Sequence, residues 1–105
     1  MKILFDQCTP VPLRRHLHPH LVDTSAERGW SALRNGDLLN CAESDDYDAL
    51  VTTDRNLTYQ QNLTKRKIRI LVLTTTSWPR ISKKVHQIRE ALESLDIGGY
   101  VEVQI

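Results

Sequence analysis

The sequence predicts an α/β domain built on a mostly parallel central sheet of about five strands flanked by helices. Three observations carry that expectation. Residues 2–5, 47–53 and 68–73 are short, nearly continuous apolar runs, as strands buried on both faces read. Segments with helical spacing separate nearly all the strands, and parallel neighbours need such crossovers. Ile81, Val85, Ile88, Leu92 and Leu95 recur at spacings of four, three, four and three, the clearest helical period in the chain.

In chain order, residues 2–5 form the first strand, ended by Asp6. Thr9 is placed to cap a following helix, with Pro10 and Pro12 near its first turn. Leu13 and Leu17 share its inner face, Arg14 and Arg15 point outward, and Pro19 stops it. Residues 20–24 read as a weak second strand. Residues 25–28 read as a helical turn closed by Gly29. Asn35-Gly36 signals a turn, and Asn35 or Asp37 is placed to cap a helix carrying Leu38, Leu39, Cys41 and Ala42. The third strand, residues 47–53, ends at Asp54. A short helix over 56–63 and a basic link, Lys65-Arg66-Lys67, lead to the fourth strand at 68–73. The long helix follows Trp78-Pro79 and stops at Gly98-Gly99. Residues 100–105 alternate as a half-exposed edge strand does.

A chain of 105 residues suits one domain over residues 1–105, without repeat or linker. It is 40% hydrophobic and 26% charged, ordinary for a soluble globular protein. A net charge of +1 sets up no global field for nucleic acid or membrane, so any basic surface is local. No apolar run approaches the roughly 18 residues of a membrane span. The first residues are too brief an apolar stretch for a secretory signal. Cys8 and Cys41 form no CxxC pair and read as reduced thiols, which points to a cytoplasmic setting.

In open parallel sheets, ligands bind outside the carboxyl ends of the strands. Asp6 and Asp54 both stand there. Neighbouring strands lie about 4.8 Å apart, so if the first and third strands are adjacent their aspartates converge on a span one hard cation bridges. Mg²⁺ or Mn²⁺ bound there polarises a phosphodiester and acidifies an attacking water. The competing reading is local, since aspartate after a strand is also a common turn and N-cap residue. His16, His18 and His20 alternate but lack the partners of a zinc site. No GxGxxG or GxxxxGK[ST] motif supports nucleotide binding.

Leu4-Phe5-Asp6 with Thr9-Pro10, Asn35-Gly36-Asp37-Leu38-Leu39 and Leu50-Val51-Thr52-Thr53-Asp54-Arg55-Asn56-Leu57 together resemble short, stand-alone PIN-like proteins. Tyr59-Gln60-Gln61-Asn62-Leu63 and Gly99-Tyr100-Val101-Glu102-Val103 extend the resemblance over nearly the whole chain. The resemblance implies a three-layer PIN-like fold and a divalent-metal-dependent endoribonuclease, with RNA as substrate and Mg²⁺ or Mn²⁺ as cofactor. It also implies a toxin role, with an antitoxin protein as partner. Asp6 and Asp54 match the first and third acids of the PIN site. Asp37 is the choice for the second, with Glu27 and Glu43 behind it, although Asp37 also reads as a plain N-cap. Where a further acid often follows the fourth strand, this chain has Thr74-Thr75-Thr76-Ser77. The hydroxyls of Thr74 and Thr75 can orient a water but add no charge, which favours a non-catalytic interaction module as the alternative. Arg14, Arg15, Arg55, Lys65, Arg66 and Lys67 are the candidate phosphate contacts, and Gln60, Gln61 and Asn62 the candidate base contacts. Trp78 and the edge strand leave a homodimer open.

Overall fold

The computed structural model describes residues 1–57 and 66–105. Five strands, β1 (Lys2–Phe5), β2 (Leu21–Thr24), β3 (Ala49–Thr52), β4 (Arg69–Leu73) and β5 (Tyr100–Val103), form one sheet in the order β2-β1-β3-β4-β5. Every neighbouring pair is parallel. From β1 the chain crosses to β2 on one side and then to β3 on the other. The strand order therefore reverses between β1 and β3, where open α/β sheets leave a crevice for ligands.

Side chains alternate across the sheet and build two cores. Ile3, Phe5, Val51, Leu71 and Leu73 pack on one face with Leu13, Leu17, Ile81, Ile88 and Leu92. Leu4, Leu50, Ile70 and Val72 pack on the other with Leu38, Leu39, Ala42 and Leu57. Strands buried on both faces explain the continuous apolar runs, and the arrangement is a three-layer α/β fold.

The helices differ from expectation in three places. The segment after β1 is a 3-10 helix, Val11–Leu17, not an α-helix. Its first bond runs from the Leu13 N–H to the Pro10 carbonyl, three residues back, and Thr9 does not cap it. The Thr9 hydroxyl instead donates to the Val51 carbonyl at 3.0 Å, fastening the loop to β3. Helix α1 (Asn35–Ser44) begins at Asn35 with Arg34 at its cap position and no side-chain cap. Asp37 lies in its first turn, where a carboxylate complements the helix dipole without capping. The long helix is divided into α2 (Trp78–Ile81), a 3-10 turn (Ser82–Lys84) and α3 (Val85–Ser94). The Ser82 hydroxyl donates back to the Pro79 carbonyl at 2.8 Å, competing with the α-helical ladder at the change of pitch. The apolar stripe survives: Ile81, Ile88 and Leu92 are fully buried. The helix expected over 56–63 lies, from residue 58 onward, outside the described residues.

The ends of the sheet are tied by polar groups. After β2, the Glu27 carboxylate accepts from the Thr24 N–H at 2.9 Å and the Thr24 hydroxyl accepts from the Glu27 N–H at 3.1 Å. This reciprocal capping box also covers an outward donor of edge strand β2. Near β2, the Tyr47 hydroxyl donates to Asp23 at 2.6 Å and accepts from Arg28 at 2.9 Å. Arg28 pairs with Asp45 and lies 4.5 Å from the Trp30 ring centroid. Burial, then the Asp23 carboxylate, push the Tyr47 phenol up to about 12. Among the described residues, no helix is long and apolar enough to cross a membrane.

Candidate functional site

The adjacency on which the site depends is present: Ile3, Leu4 and Phe5 pair with Ala49, Leu50 and Val51. One residue further, the Asp6 N–H continues the ladder to the Val51 carbonyl at 3.0 Å. Asp6 therefore stands beside Thr52, and Asp54 follows two residues later on the same rim. Both aspartates are half-buried.

A buried threonine joins them. Thr52 is 1% exposed; its hydroxyl donates to Asp6 Oδ2 at 2.6 Å and accepts from the Asp54 N–H at 3.1 Å. The other Asp6 oxygen accepts from the Gln7 N–H at 2.6 Å. Asp54 Oδ1 accepts from the Asn56 N–H at 3.0 Å, an Asx-turn contact, and Oδ2 accepts from the Asn35 side-chain amide at 2.6 Å. Asp54 thus has the local turn role and faces the rim at once. The Asn35 contact also brings the start of α1, with exposed Asp37 on its first turn, to this end of the sheet.

Among the described residues, no ion pair compensates the charge of the two acids, and none includes Asp37. Each of their four oxygens in Asp6 and Asp54 accepts one hydrogen bond from a described residue, and a carboxylate oxygen offers two lone pairs. Among the described residues, no three His, Cys, Asp or Glu side chains form a group able to hold a metal ion. The site in hand is therefore a two-carboxylate site, with Asp37 near its entrance helix and not joined to it.

The remaining sequence candidates are dispersed. Glu27 is committed to Thr24 and to Arg14 at 2.7 Å, and these contacts hold its carboxyl below the ordinary 4.5. Glu27 thus follows β2 at the same end of the sheet as Asp6 but is turned to these partners, whereas Glu43 pairs with Arg66 at 2.7 Å ahead of β4, at the amino end of the strands. Thr74 and Thr75 do follow β4 onto the rim. The Thr74 hydroxyl accepts from the Ile105 N–H at 2.9 Å, a long-range tie to the residue that ends the chain, and that of Thr75 accepts from the Ser77 N–H at 3.1 Å, a turn contact. Arg55 reaches Glu102 at 3.3 Å, Arg15 is exposed, and Lys65, Gln60, Gln61 and Asn62 lie outside the described residues. Cys8 and Cys41 are free thiols.

Thr52 and Asn35 are the residues that sequence reasoning passed over as parts of the site. Thr52 precedes Asp54 by two on a strand and so shares its side, a signal present in the sequence. The partner across the sheet depends on the β1–β3 register, which is not. Comparisons with protein-family models, with curated proteins and with solved structures find no match.

Proposed function

We propose that the chain is a divalent-metal-dependent PIN-like endoribonuclease whose Asp6 and Asp54 hold Mg²⁺ or Mn²⁺. The observation that carries this reading is the pair of half-buried aspartates at the strand-order reversal, the Asp6 carboxylate tied through Thr52 to the Asp54 backbone N–H, and neither acid in an ion pair among the described residues. The donor set fits a hard cation that keeps several waters, because both ligands are carboxylates with lone pairs to spare. Bound there, such a cation supplies Lewis-acid polarisation of a phosphodiester and lowers the pKa of an attacking water.

The chain's own residues do the rest. Thr52 and Asn35 each occupy one oxygen of a carboxylate and fix the direction of the remaining lone pairs. Asp37 is the third acid of this reading, carried by the helix that Asn35 anchors. Arg55, directly after Asp54 and 3.3 Å from Glu102, contributes positive charge for an RNA backbone. A toxin role with an antitoxin partner rests on the sequence resemblance alone.

A second reading, a non-catalytic PIN-like interaction module, is favoured by one observation: no three-ligand group is assembled among the described residues. Incubation of the purified protein with RNA and Mn²⁺ separates the two. The nuclease reading expects cleavage that EDTA stops and that Asp6→Asn or Asp54→Asn abolishes. Absence of Mn²⁺-dependent cleavage, or cleavage that survives both substitutions, sinks it.

A further inference from the structure

A concavity lies away from the two aspartates, on the face that carries the 3-10 helix. It is a groove of about 720 Å³. Val11, Pro12, Leu21, Val22 and Trp78 form its apolar surface. Two of these are unusually open for aliphatic side chains, Leu21 at 71% and Val11 at 52%. Leu21 opens edge strand β2, whereas Val11 and Pro12 follow the loop that bears Asp6. The lining follows the 3-10 helix from Val11 to His18, about 14 Å at roughly 2 Å per residue, enough for roughly four extended residues.

Its charge is one-sided. Every ionisable side chain on the lining, Arg14, Arg15, His18 and His20, is basic. Arg14 is neutralised by Glu27 at 2.7 Å, and His20 lies 2.8 Å from Glu93. Arg15 and His18 have no ion pair among the described residues. The ligand demand is therefore for apolar surface with one or two anionic groups. A nucleic-acid strand brings a charge at every nucleotide, whereas the lining offers one arginine without an ion pair among the described residues and a single indole for stacking. A peptide with alternating apolar and acidic side chains meets both requirements. Backbone pairing with β2 contributes little, because the Thr24 N–H is already taken by Glu27.

We infer that this groove docks a short extended segment of a partner protein, apolar with one or two acidic residues, held by Leu21, Val11 and Trp78 and by the charge of Arg15. The inference is independent of metal binding at the aspartates. A phage-displayed library of random dodecapeptides, panned on the intact protein, tests it. The expected result is a consensus with an acid adjoining large apolar residues. The synthetic consensus peptide is expected to bind Leu21→Ser and Arg15→Glu at least about tenfold more weakly than the unaltered protein. Both residues are exposed, and unchanged thermal midpoints establish that the variants are folded. Selection without a consensus, a consensus lacking acids, or equal affinity for the variants overturns the inference. Displacement of the peptide by an oligouridylate at lower concentration overturns it in favour of nucleic acid.

Discussion

Replacing Thr52 by valine isolates the link between the two aspartates. The substitution keeps the shape of a side chain that is 1% exposed and removes one hydroxyl. Two hydrogen bonds go with it, one to the Asp6 carboxylate at 2.6 Å and one from the Asp54 N–H at 3.1 Å. A bond to a charged group contributes about 1.5–3 kcal/mol, and half-exposed Asp6 belongs at the lower end because water replaces part of it. The neutral bond adds about 1 kcal/mol. The expected loss is about 2–3 kcal/mol, a fall of roughly 10–20 °C in Tm for a domain of this size. Urea titration at constant slope and a thermal scan, both followed by circular dichroism, measure it. Thr53→Val serves as the control and is expected to stay within about 0.5 kcal/mol. A Thr52→Val loss no larger than that of the control refutes the coupling.

Two ionisable contacts make the stability pH-dependent in opposite directions. Glu27 is held below its ordinary 4.5 by the Thr24 amide and Arg14, so its contribution is present above that value and is lost as pH falls through the lower folded value. Glu27→Gln is expected to flatten this acid limb in urea midpoints; an unchanged slope counts against the capping box. Tyr47, raised from 10.0 to about 12, contributes stability that is complete below 10.0 and lost as pH rises through about 12. Ultraviolet titration is expected to find one late-ionising tyrosine that Tyr47→Phe removes, and its survival in that variant contradicts the assignment.

The residues differ in how much they disclose on their own. The apolar runs at β1, β3 and β4 are legible because strands buried on both faces leave no polar position to interrupt them. The stripe from Ile81 to Leu95 marks a buried face even though the backbone changes pitch at Ser82–Lys84, since burial follows the spacing of side chains and not the hydrogen-bond pattern. Strand-end aspartates are legible by position, but their joining is not. It needs β3 to pass beside β1, a register that no local signal carries. Thr9 and Asn35 show the same limit: each is a good capping residue by type, and each is drawn to β3 instead, by the Val51 carbonyl and by Asp54. Glu27 is the reverse case. Its spacing from Thr24 is a capping-box signature, and that local role takes the carboxylate from the site for which it was a candidate. Glu43 is removed by geometry alone, since α1 carries its last turn to the amino end of the strands, where Arg66 meets it.

The central claim is that Asp6 and Asp54 together hold a divalent cation. Isothermal titration of the protein with Mn²⁺, paired with thermal scans at each concentration, tests it without depending on any substrate. One binding event is expected, with a midpoint that climbs as the ion is added, and Asp6→Asn and Asp54→Asn are each expected to abolish both signals. A titration with no heat and no thermal shift, or binding that persists in both variants, contradicts the claim.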